Sequence, residues 1–265
     1  MENLAAKHRE IAERFIEPLK DDKRIKGIAF LGSIGRNFGD KHSDIDIAVF
    51  TNEKIDMLHR GEKWIEGWDI EIFQVDMTEG NEDWDSAQKE AYQEGILVYD
   101  PSGEVKPFLE AALAYSDEDR MKEIVELLFD LGWHGWSYTE AKGKEWRGYN
   151  WSLPHDLWIQ RGSIENAFYI LHHCRDLLMD LLYAINRRWT PDFKWKYFKS
   201  LQLPWLPEKY AETMASLLLV ASITEEEFNQ KAALFQTLID ACYEMVMDDL
   251  PTDMYDYLVV ELGAY

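Results

Sequence analysis

The sequence predicts an α+β protein, with an α/β amino-terminal domain followed by an all-helical carboxy-terminal domain, and three observations carry that expectation. Short stretches between residues 27 and 75 alternate or run apolar as strands do. Most of the chain beyond residue 103 repeats its apolar positions at helical spacing. Between the two textures, "DPSG" at 100–103 is a turn signal. The expected division is therefore 1–102 and 103–265.

In the first part, Leu4, Ile11, Phe15, Ile16 and Leu19 lie on one helical stripe. Residues 27–33 form an apolar strand that closes at Gly32-Ser33, and residues 44–50 a second. In "WDIEIFQV", 68–75, Trp68, Ile70 and Ile72 point one way and Asp69, Glu71 and Phe73 the other. A helix at 83–94 and a short strand at 95–99 follow. In the second part, helices are expected over 104–115, 118–131, 161–186, 207–221 and 224–248. Thr224 with Glu227 three residues on supplies a capping signal for the last of these.

With 265 residues, 46% of them apolar, the chain can bury a sizeable core. Its formal charge of -22 repels a phosphate backbone, so nucleic acid is not an expected partner. The amino terminus is charged and amphipathic, and the longest apolar run, "MASLLLVASI", is too short to cross a bilayer. A cytoplasmic protein with no membrane partner is expected, its two cysteines, Cys174 and Cys242, being reduced and buried.

The polar residues of the first domain are less ordinary. A side-chain period of two puts Asp44 and Asp46 on one face of a strand, roughly 7 Å apart along the chain. Two carboxylates that close repel each other, and a cation between them removes the cost. All-oxygen ligation favours a hard ion, Mg²⁺ or Mn²⁺, held together with substrate phosphates. Asp69, on the neighbouring alternating strand, supplies a third acid, as a two-metal phosphoryl-transfer site needs; Glu71 shares its face and is the alternative. Upstream, Gly32-Ser33 opens a turn whose backbone N–H groups and hydroxyl suit phosphate oxygens. Arg36, Lys41 and His42 follow in the same connection.

At these residues the chain resembles the nucleotidyltransferase superfamily, which includes DNA polymerase beta and the aminoglycoside and lincosamide nucleotidyltransferases. The resemblance lies in "LGS", ten intervening residues, then "DID" in apolar surroundings, and it covers about residues 27–75. It implies a catalytic domain with a small mixed sheet, in which Gly32 and Ser33 contact the triphosphate and Asp44 and Asp46 bind the metal ions. Asp69 would then ligate the catalytic ion or act as general base. "YDPSG" leading into a helical domain is similar in order to the lincosamide enzymes. "LLYAINRRWTPDFKW", 181–195, resembles a helical domain found behind such catalytic modules.

Two further features are candidates. In "NRRWTPDFKWKYFK", 186–199, five basic residues face one aspartate among aromatics, and nucleotide or acceptor contact is weighed against a helix whose lysine stems cover core; Lys194 is the first candidate. Glu165, His172 and Asp176 have a spacing that a second metal could use, although helix polar faces produce such trios by chance. His134 and His155 have no assignable partner.

The expected activity is Mg²⁺- or Mn²⁺-dependent transfer of a nucleoside monophosphate, AMP from ATP, to a hydroxyl of a small-molecule acceptor. An acidic cleft suits a cationic acceptor such as an aminoglycoside antibiotic. The alternatives are a protein-modifying antitoxin-type enzyme, a non-catalytic nucleotide-binding module and an RNA-end transferase.

Overall fold

A computed structural model describes residues 2–55, 63–81, 83–138, 153–251 and 253–261. The protein is α+β and divides into two compact units, 1–114 and 115–265.

The first unit is built on a five-stranded mixed sheet. Its elements are α1 (Ala5–Ile16), β1 (Ile25–Phe30), the short turn of helix α2 (Gly32–Gly35), β2 (Ile45–Thr51), β3 (Lys63–Ile65), β4 (Trp68–Asp76), α3 (Ser86–Gln93), β5 (Ile96–Tyr99) and α4 (Val105–Ala112). The strand order is β3-β4-β2-β1-β5. Among the described residues β2 and β4 are parallel neighbours, β1 runs antiparallel to β2 and β5, and β3 antiparallel to β4.

The alternation in the sequence sorts the strands' side chains onto two covered faces. Ile28, Phe30, Ile45, Ile47, Ile70 and Ile72 pack with Ile11, Ala12 and Ile16 of α1. Ala29, Ala48, Phe50 and Val75 pack on the opposite face with Tyr92 of α3 and Val105 of α4. Trp84 stacks on Tyr92 at 4.5 Å and closes that side.

The "DPSG" turn leads directly into α4, because the Asp100 carboxylate accepts the N–H groups of Val105 and Lys106 at 3.3 and 3.0 Å. Val105 is fully buried against the sheet, so the first unit continues through Ala114, past the turn at which the sequence suggests a division.

The second unit contains α5 (Asp117–Trp133), α6 (Leu157–Gln160), α7 (Ile164–Ile185), α8 (Phe193–Ser200), α9 (Tyr210–Leu218) and α10 (Glu225–Val246), with a last helical segment over 254–261. Its core is one cluster, drawn chiefly from α5 (Ile124, Leu128), α7 (Leu171, Leu178, Leu182) and α10 (Phe235, Leu238). Ser116 and Asp119 form a capping box at the start of α5, and Thr224 caps α10 by accepting the Glu227 N–H at 3.3 Å. Cys174 and Cys242 are free and buried, and burial pushes the Cys174 thiol up to about 12. Among the described residues no helix is long and apolar enough to cross a membrane.

The basic-aromatic segment 186–199 turns out to be divided in its roles. Arg187 pairs with Asp117. Lys196 is buried, its Nζ 3.0 Å from Asp176 Oδ2 and 2.9 Å from Asp180 Oδ1. Burial opposes that ammonium, but hydrogen bonds and attraction from Asp180 and Asp176 outweigh it and hold Lys196 above its ordinary range. Asp176 is thereby committed to a lysine rather than to Glu165 and His172. His134 meets His173 edge-on, and His155 stacks on Trp136. Lys196→Met keeps the stem but leaves two facing carboxylates without their cation. It should lower unfolding free energy by about 3 kcal/mol at neutral pH, read from urea denaturation; an unchanged midpoint would show the ion pairs to be energetically idle.

Candidate functional site

The candidate site stands where β1 leaves the sheet and β2 and β4 enter it. The Leu31 N–H donates to the Asp46 carbonyl at 3.0 Å, which ties the end of β1 to the start of β2. The next residue, Gly32, turns the chain at φ +50 and opens α2, and the strand ends at Phe30, three residues short of its expected limit. A Cβ added to Gly32 would lie 1.7 Å from Asp46 Oδ2 and 2.8 Å from its Cγ. Glycine is thus needed twice here, once for the left-handed backbone and once so that the Asp46 carboxylate can lie against the chain.

Ser33 is fully buried, and its hydroxyl donates to the Asp44 carbonyl at 3.0 Å while contacting His8 Nδ1 at 2.9 Å. The hydroxyl expected to meet phosphate is therefore turned inward, as a brace under the strand that carries the aspartates. Arg36 caps the end of α2 and is half-buried, whereas Lys41 and His42 are exposed in the following loop. Lys194 is exposed on α8 in the second unit, where Asp192 accepts its N–H at 3.0 Å.

Asp44, Asp46 and Glu71 form the acidic group. Each offers one carboxylate oxygen, and these oxygens all lie within 4.8 Å of one another. The parallel register sets Asp46 beside Glu71, and Asp44 two residues earlier faces the same space. Asp69, favoured from the sequence as the third acid, is not a member of this group: it stands one pleat away opposite Trp64 of the edge strand, with its Oδ1 buried and without a hydrogen-bond partner. The sequence shows that Asp69 and Glu71 share a face; only the register decides which is level with Asp46.

At such separations like charges repel by about 1 kcal/mol per pair even at the dielectric constant of water, and by more beside a protein surface. Asp44 and Glu71 are exposed and Asp46 half-buried, so an incoming cation and its ligand can reach them. The donors are all carboxylate oxygens, which fits Mg²⁺ or Mn²⁺ and not a thiolate- or imidazole-seeking ion. His8 interrupts the apolar stripe between Leu4 and Ile11, which is the one mark of it in the sequence.

Residues 13–104 match the family described as "Polymerase beta, Nucleotidyltransferase". Among solved structures, the chain is similar to a nucleotidyltransferase-like protein from Exiguobacterium sibiricum 255-15, with 10% identity over 89% of this chain and 74% of that one, at a TM-score of 0.46. No curated protein matches the chain. The matched span contains the sheet strands, the Gly32 turn and all three clustered acids, and the amino-terminal unit of this chain is a nucleotidyltransferase domain of the polymerase beta superfamily.

Proposed function

We propose that the chain is a Mg²⁺- or Mn²⁺-dependent enzyme that moves AMP from ATP to a hydroxyl of a small cationic acceptor, aminoglycoside-type antibiotics being the first class to test. The observation that carries this reading is the convergence of Asp44, Asp46 and Glu71 beside the Gly32 turn. When bound, the divalent ions would neutralise triphosphate charge and acidify the attacking hydroxyl.

In this reading Asp44, Asp46 and Glu71 hold the ions, and Asp69, two residues before Glu71 on β4, is the carboxylate assigned to take the acceptor proton. Gly32 keeps the backbone low enough for a phosphate to approach, and Arg36, at the end of α2, offsets phosphate charge. Lys194 remains a candidate for an outer phosphate contact. The strong negative charge of the chain favours a small cationic acceptor over a polynucleotide.

The test is a panel of hydroxyl-bearing acceptors incubated with ATP and Mg²⁺, with pyrophosphate release as the readout. Release that requires both an acceptor and a divalent ion is expected. ATP binding with no release across small molecules, but with labelling of a protein, would overturn the small-acceptor assignment.

A further inference from the structure

His8 is fully buried beneath the Gly32 turn. Its Nδ1 lies 2.9 Å from Ser33 Oγ, and the same hydroxyl donates to the Asp44 carbonyl at 3.0 Å. A serine hydroxyl has one hydrogen and a carbonyl only accepts. Both contacts are hydrogen bonds only if His8 carries its proton on Nδ1 and donates it to Ser33. The result is a directed series from His8 Nδ1–H to Ser33 Oγ–H to the Asp44 carbonyl, ending on the backbone of a clustered acid.

The surroundings of the ring agree with this arrangement. His8 Nε2 is buried with no hydrogen-bond partner. Burial is the main influence on the imidazole and holds it below its ordinary range, against the pull of Asp40 and Asp44, which favours the uncharged ring that the hydrogen-bond geometry requires. Trp68 stands edge-on to it at 5.3 Å between centroids. On another side, a Cβ on Gly39 would fall 2.8 Å from Nδ1, so the loop backbone closes directly over the ring. That loop is tied to α1 by the Leu4 N–H, which donates to the Gly39 carbonyl at 2.7 Å. The imidazole is thus clamped by the turn, the loop and β4.

We propose that His8 is a positioning residue of the acidic cluster: through Ser33 it holds the backbone that projects Asp44 and the turn on which Gly32 meets Asp46. The inference rests on the cluster being a divalent-cation site. Losing such a supporting partner typically costs 10–100-fold in metal affinity.

The experiment is titration of the full chain with Mn²⁺ in the presence of ATP, the free ion being followed by electron paramagnetic resonance. Asparagine places an amide N–H near the position of Nδ1, whereas glutamine places one near Nε2. His8→Gln and His8→Leu should weaken Mn²⁺ binding roughly tenfold or more, and His8→Asn should stay near wild type. His8→Leu should add nothing in a Ser33→Ala background. Equal losses in His8→Asn and His8→Leu, wild-type affinity in His8→Leu, or additive losses with Ser33→Ala would each overturn the proposal.

A second measurement needs no variant: nitrogen NMR of the wild-type ring should show the Nδ1-protonated tautomer, and the Nε2-protonated form would overturn the proposal even if every His8 variant failed to fold. If wild type binds Mn²⁺ no better than Asp46→Asn, the cation reading of the cluster itself fails, and this inference with it.

Discussion

Asp46→Asn is expected to remove the tightening of ATP binding by Mg²⁺ and to lower pyrophosphate release at least about a thousandfold, some 4 kcal/mol in the barrier. The substitution is nearly isosteric, so it preserves the close contact with Gly32 while deleting the charge at the centre of the cluster. Glu71→Gln should follow it, because Glu71 is the residue paired with Asp46 across the parallel strands. Asp69→Asn should be milder for divalent-dependent ATP binding, since its carboxylate lies outside the cluster. The sequence alone favours the opposite order for these last two. Isothermal titration of ATP with and without Mg²⁺ decides the matter: equal affinities in wild type would sink the metal assignment, and a deeper loss in Asp69→Asn than in Glu71→Gln would return Asp69 to the third position.

The two orders differ because side-chain periodicity and strand alignment are different kinds of information. Alternation in "WDIEIFQV" fixes which residues share a face, and the structure bears this out, with Ile70 and Ile72 on the α1 side and Phe73 on the other. Alternation says nothing about which residue of a neighbouring strand lies opposite. That depends on backbone pairing across many intervening residues, and here it sets Asp46 beside Glu71. The short β3 is not legible in the sequence for a related reason: three residues are too few to show a period.

Local chemistry was more legible than burial. Gly32-Ser33 and the Asp44/Asp46 pair stood out because each breaks an apolar run, but the sequence could not show that the Ser33 hydroxyl turns inward. His8 had a signal of its own, a polar residue at helical spacing between Leu4 and Ile11. Similarly, the lysines of 186–199 look alike in sequence, while α8 buries Lys196 between two aspartates and leaves Lys194 exposed.

Gly32→Ala tests the turn and the cluster together, and should abolish divalent-dependent ATP binding as completely as Asp46→Asn does. Two costs act at this position. An L-residue at φ +50 pays about 1 kcal/mol in backbone strain, which alone would leave the protein folded. The second cost is specific to the site: a methyl group 1.7 Å from Asp46 Oδ2 cannot coexist with the carboxylate, so either the turn or Asp46 must move, and both belong to the proposed metal-nucleotide site. Gly103→Ala separates the two costs, because Gly103 also has a positive φ, +71, but its Cβ would meet nothing within 4 Å. Both variants should lose a similar, modest amount of thermal stability, and only Gly32→Ala should lose the Mg²⁺-dependent gain in ATP affinity. Wild-type ATP binding in Gly32→Ala would show that the turn and the Asp46 carboxylate do not form one site.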